Sequence, residues 1–122
     1  MSEHIVLRGD IRLCDFGEPQ GYTAAKKRPV VVLQNNVANR KSQTIIVAIV
    51  RTNPKVGELP VGIKLEPAGT GLRKTSYVDL GRIYTIDKSD LKEKIGSVFQ
   101  SDMLKIDVAK AISLGQRPYP TR

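Results

Sequence analysis

Histidine and cysteine, the side chains that most often move protons, attack electrophiles or bind metals, occur once each in this chain, as His4 and Cys14. A lone histidine excludes a two-histidine acid/base pair within one chain, a His-rich metal site and the HExxH zinc motif. A lone cysteine excludes an internal disulfide and a cysteine-based zinc site, and it suits a reducing compartment, with the cytoplasm as the default. Chemistry therefore has to run on other groups, and the groups in excess are cations. Twenty Lys plus Arg against 12 Asp plus Glu leave a formal charge of +8 over 122 residues. Such a balance favours polyanionic partners: nucleic acid, an acidic protein or an anionic membrane surface. The densest cationic run is Lys26, Lys27 and Arg28. Its plain alternative is a solvated, charged loop.

These cations need a scaffold, and the hydrophobic pattern describes one. Residues 10–16 alternate, with Ile11 and Leu13 on one face, and stop at Gly17, Glu18 and Pro19, which reads as a first strand. Residues 17–27 have no apolar period and read as a long basic loop. Residues 30–33 and 44–50 are short, continuous and β-branched, the pattern of central strands covered on both faces. Between them, residues 34–42 carry Asn35, Asn36 and Asn39 and read as turns rather than regular structure. Residues 51–60 read as a second exposed loop. Strands are expected at 62–65, 76–80 and 83–86, with breakers Pro67, Gly69 and Gly71 between the first two. After Asp87 the period changes. Ser89 is expected to cap a short helix through Lys94 ended by Gly96, and Ser101 a longer one ended by Gly115. Leu104, Val108, Ala111 and Ile112 fall at helical spacing and are expected to face the sheet.

The length fits one domain, residues 1–122, with loose ends at 1–7 and 116–122. No apolar run approaches the roughly 20 residues that span a bilayer, and residues 1–13 are charged where a signal peptide would be apolar, so a soluble, unexported protein is expected. The fold class is mainly β: a partial barrel of five to seven short strands, a C-terminal helix and one or two short helices.

Within this pattern Arg8, Gly9, Asp10 and Ile11 match an "RGDI" opening, and Arg28 to Val32 an "RPVLVI" strand. Residues 34–40 are similar to "QNDIGNR", Leu59 and Pro60 to an "LP" turn, and residues 83–88 to "IRTIDK". Residues 91–96 and 111–115 match "LKEKIG" and the end of "ALKISLG". In this order and at this spacing the pieces resemble the MazF/PemK (Kid) family of toxins from type II toxin-antitoxin systems, over nearly the whole chain. The resemblance implies an SH3-like barrel, homodimerisation and metal-independent, cofactor-free cleavage of single-stranded RNA at short sequences in messenger RNA. It also implies a cognate antitoxin whose acidic, disordered C-terminal segment covers the RNA site. The same barrel also serves toxins that poison DNA gyrase, and an inactive homologue that only binds antitoxin is a third reading.

Residue by residue, the resemblance assigns the catalytic arginine to Arg28, which directly precedes the RP strand. A guanidinium grips two phosphate oxygens in a fixed plane and is a poor base. The family's phosphate-binding threonine closes the third strand. Ungapped, Arg51 falls there and Thr52 one residue later, so Thr52 takes the role only where the strand ends, bulges or twists. Thr52 is the candidate, with Arg51 as a second phosphate contact. Many relatives read "GSEQGG" in the long loop where this chain has Tyr22, Thr23 and Ala24, so the loop acid is missing and the general base and acid stay open. Arg82 replaces a glutamine that reads base edges, which points to an altered sequence preference, and its plain alternative is a pair with Asp79 or Asp87. Lys26, Lys27, Asn36 and a base-stacking Tyr22 complete the expected RNA contacts. Cys14 is read as a small core residue.

Overall fold

The computed structural model describes residues 5–17 and 26–120. Its strands are β1 (Asp10–Asp15), β2 (Lys27–Val32), β3 (Thr44–Arg51), β4 (Gly62–Leu65), β5 (Ser76–Asp87) and β6 (Leu91–Ser97). They form one six-stranded sheet in the order β4-β5-β3-β2-β1-β6, antiparallel at every junction. Among the described residues, two α-helices, α1 (Asn36–Lys41) and α2 (Gln100–Ser113), and short 3-10 turns at Pro54–Glu58 and Lys88–Asp90 accompany the sheet. This is the mainly β class with a closing helix that the hydrophobic pattern predicts.

β2 and β3 lie at the centre because their side chains are apolar on both faces. Val31, Ala48 and Val50 pack with Met103, Ile106 and Ala109 of α2. Val30, Val32, Ile45 and Val47 pack on the other face with Val6, Cys14 and Leu91. Each fully buried valine contributes on the order of 2 kcal/mol by leaving water, so the two layers fix the register of both strands. Cys14 is fully buried, and burial, followed by the nearby Asp90 and Asp15 carboxylates, pushes its thiol up to about 12.

Several sequence expectations are corrected. Residues 34–42 are not all turn, since α1 occupies Asn36–Lys41. The Asn35 side chain accepts from the Ala38 N–H at 2.8 Å, so the asparagine starts a helix as an N-cap. Residues 76–80 and 83–86 form one strand, β5, interrupted by a bulge: Ala48 of β3 faces Ile83, but its neighbour Ile49 faces Asp79. The short helix expected after Ser89 is a 3-10 turn followed by β6. Leu91 and Ile95 have helical spacing, but pairing with β1 makes a strand, and its register shifts put Leu91 in one apolar layer and Ile95 in the other. Gly96 serves close approach, not helix termination, because a Cβ there would lie 1.9 Å from the Thr70 carbonyl oxygen.

The face of α2 is also reversed. Met103, Ile106 and Ala109 meet the sheet, whereas Leu104 and Val108 are 63% and 41% exposed. The helix is apolar along two stripes, and periodicity alone does not say which one the sheet takes. No side chain caps α2 at its N-terminus, and Ser101 lies inside the helix. Residues 51–60 include a turn that buries Val56. Of the ends expected to be loose, residues 5–7 are held: Val6 is buried, Arg12 donates to the Ile5 carbonyl at 2.6 Å, and the Leu7 N–H donates to Asp10 at 3.0 Å. No helix among the described residues is long and apolar enough to cross a membrane.

Candidate nucleic-acid interface

The bulge in β5 brings together charges that a regular strand would keep apart. Side chains three residues apart on a strand point to opposite faces. Here Leu80, Gly81 and Arg82 are extra relative to β3, and the turn of the chain brings Arg82 Nε to 3.5 Å from Asp79 Oδ2. Arg51, the last residue of β3, reaches the same oxygen with Nη1 at 3.3 Å. The other carboxylate oxygen, Oδ1, accepts from the Gly81 N–H at 2.9 Å. A Cβ on Gly81 would stand 3.1 Å from Oδ1, a tight contact that would press on the carboxylate.

These residues line a groove of about 410 Å³, with Asn53 and Lys55 on its rim. Asn53 accepts from the Lys55 N–H at 3.0 Å and starts the 3-10 turn that follows β3. Three cations and one carboxylate thus share the groove, which gives it a net positive field suited to a polyanion. A second groove of about 620 Å³, beside Arg12, Lys88 and Lys92, is larger. There Arg12 is buried and committed to the Ile5 and Lys92 carbonyls and to Asp10, whereas Arg51 and Arg82 remain about one-third exposed, so the smaller groove is the better anion site.

Arg28 and Lys27 are exposed at the start of β2. The β2–β3 register pairs Val30 with Ile49, Val31 with Ala48 and Val32 with Val47. The paired residues end at Val30 and Ile49; by the period of two, Arg28 follows Val30 and Arg51 follows Ile49 on the same face of their strands. β3 ends at Arg51, and Thr52 lies beyond it, exposed, so the strand end required for Thr52 to turn toward that face is present. Lys26 is exposed at a φ of +56°, and its backbone pairs with Phe16 and Gly17, closing the base of the long loop. Tyr22, Thr23 and Ala24 lie outside the described residues.

Asn36 falls elsewhere. Its Oδ1 accepts from the Arg8 N–H at 2.7 Å and from Asn39 Nδ2 at 3.2 Å, and it lines a different groove with Arg8 and Asp107. Its amide oxygen fixes the Arg8 turn, and the residue does not line the groove with Arg51 and Arg82. Of Arg82's two expected partners, Asp79 is the one found. Sequence reading missed Asp79, Gly81, Asn53 and Lys55 as members of the groove. The available signal was Gly81, since a glycine inside a strand pattern marks a bulge. Among the described residues no three His, Cys, Asp or Glu side chains gather as a metal site would require.

A family model described as PemK-like, MazF-like toxin of type II toxin-antitoxin systems matches residues 7–114. A curated relative from Staphylococcus epidermidis, named Endoribonuclease MazF, is 37% identical over 111 residues, covering 91% of this chain and 92% of that protein. Among solved structures, a mycobacterial endoribonuclease in complex with its cognate antitoxin superposes with a TM-score of 0.76 at 30% identity, over 94% of this chain and 99% of that one. MazF from Deinococcus radiodurans shares the fold, with a TM-score of 0.77 at 18% identity, over 93% of this chain and 99% of that one.

Proposed function

Because the chain belongs to the family of PemK-like, MazF-like toxins of type II toxin-antitoxin systems, we propose that it is a toxin of this kind. Its activity is sequence-specific, metal-independent endonucleolytic cleavage of single-stranded RNA, which blocks translation and growth. The observation that supports this reading best is the cationic groove lined by Arg51, Lys55 and Arg82 at the end of β3, with Arg28 exposed at the start of the neighbouring strand β2. The reaction has the ribose 2′-oxygen attack the adjacent phosphorus. The new O–P bond forms as the bond to the 5′-oxygen breaks, leaving a 2′,3′-cyclic phosphate and a 5′-hydroxyl. One proton leaves the 2′-hydroxyl and one reaches the departing oxygen. Arg28 clamps the non-bridging oxygens as negative charge builds on them, and the Thr52 hydroxyl donates to the same phosphate. Arg51, Arg82, Lys26 and Lys27 hold the flanking backbone, and Tyr22 stacks on a base.

The test is incubation of the pure protein with a mixed-sequence transcript in EDTA, with ends mapped by primer extension. Discrete cuts are expected, and Arg28→Ala is expected to slow them about a hundredfold or more, as loss of one charge-stabilising donor does in comparable sites. Intact RNA across diverse sequences would sink the proposal. The chain also works as a homodimer in the cytoplasm and is neutralised by an antitoxin. Its charge of +8 suits an acidic, disordered antitoxin segment, and the mycobacterial relative was solved with its antitoxin bound.

A further inference from the structure

We propose that Asp79 is a positioning residue for RNA cleavage: it sets Arg51 and Arg82 as a matched pair against one phosphate of the substrate backbone. The inference rests on the ribonuclease reading and specifies how the groove takes its substrate. Asp79 is only 6% exposed, an unusual place for a carboxylate unless it is paired. Above it, the Arg51 and Arg82 side chains remain about one-third exposed, at 32% and 37%. The arrangement is layered, with a buried anion beneath and two cations at the surface. Both cations are drawn to the same oxygen, Oδ2, at 3.3 and 3.5 Å. Oδ1 is held separately by the Gly81 N–H at 2.9 Å, which opposes rotation of the carboxylate toward either arginine.

Two guanidinium groups side by side repel one another, and in solution each would sample many rotamers. The shared carboxylate removes both difficulties by offsetting one of the two charges and fixing one point of contact for each side chain. An RNA phosphate arriving at the groove then meets donors already in place, and the bound backbone holds the neighbouring 2′-hydroxyl in line for attack. The cost is affinity, because the substrate phosphate approaches a site that contains an anion of its own. Asp79 therefore favours catalysis over binding, and the two separate on substitution.

The experiment uses wild-type protein first, to cut a mixed-sequence transcript in EDTA and so define the site. An oligonucleotide bearing that site gives kcat and KM, and the same oligonucleotide with 2′-deoxyribose at the scissile nucleotide gives Kd. Asp79→Asn is expected to lower kcat about tenfold or more while Kd stays within about threefold or tightens, the signature of an interaction used in the transition state rather than in binding. In an Arg51→Ala/Arg82→Ala background the same substitution is expected to change kcat by less than about twofold, because it has nothing left to position. A kcat for Asp79→Asn near that of wild type, or a loss that persists undiminished in the double background, would overturn the assignment. Should Asp79→Asn lose its thermal unfolding transition, Arg82→Gln breaks the pair at its exposed end, and an unchanged kcat there overturns the assignment equally. If wild-type protein cuts no RNA, the ribonuclease reading falls and this role falls with it. If wild type cuts and Asp79→Asn cuts as fast, only the role of Asp79 is lost.

Discussion

Arg51 and Thr52 are adjacent in sequence, but the end of β3 between them gives them different tasks. Arg51 is still in the ladder, opposite Tyr77, and is tied to Asp79, while Thr52 has left the strand and is exposed. A strand residue is aimed by the pleat, whereas the residue after it is aimed by the turn, here the one begun by Asn53. Thr52→Val removes a hydroxyl and almost no volume from an exposed position. Cleavage by this variant is expected to fall about tenfold with the melting temperature unchanged, since surface substitutions of this kind are close to neutral for stability. Arg51→Ala removes a backbone contact instead. Its RNA affinity is expected to fall at every sequence, with the slope of log affinity against log salt shallower by about one. Equal cleavage by Thr52→Val and wild type would move the phosphate role to Arg51. Arg28, Arg51 and Arg82 were legible as site candidates because each occupies a motif position, and Thr52 because it lies one residue past one. Asp79 was not, because its importance comes from a bulge that places residues three apart on one face, and no strand periodicity encodes that.

At the scale of elements, burial made the sequence readable and local hydrogen bonding made it misleading. β2 and β3 were legible because continuous β-branched runs have few other uses. α1 was hidden because its asparagines read as turn formers, although one caps it and another, Asn39, is buried within it. Asn39 Nδ2 donates to the Gln34 carbonyl at 2.9 Å, and Asn39 Oδ1 accepts from Gln34 Nε2 at 3.0 Å, so a polar residue serves as a core residue. The helix spans only six residues, too short to persist on propensity alone. It therefore depends on its cap. Asn35→Ala is expected to cost about 1 kcal/mol in thermal or urea unfolding, in the usual range for a lost N-cap. Asn35→Gly is expected to cost only a few tenths, because glycine is itself tolerated there. A cost below about 0.3 kcal/mol for the alanine variant would show that packing, not the cap, holds α1.

The whole molecule carries two surfaces of opposite character, a cationic groove at the β3–β5 end and an apolar band along the outer side of α2. Leu104 and Val108 are exposed there and form a groove of about 410 Å³ with Pro60 and Ile63. A protein with a formal charge of +8 is kept soluble by repulsion between copies, so an apolar band of this kind is best covered by a specific contact that holds the charged faces apart. A homodimer formed through α2 would cover this band. Sedimentation equilibrium is therefore expected to give twice the chain mass of 13.5 kDa, and Leu104→Lys to give the single-chain mass. Leu104 is not among the residues that pack α2 on the sheet, so the variant is expected to fold and keep its near-ultraviolet circular dichroism. A wild-type protein that sediments as one chain at micromolar concentration would remove the homodimer. A Leu104→Lys variant that remains dimeric would move the interface away from α2, to the exposed Ile5, Leu7 and Val37 on the N-terminal side.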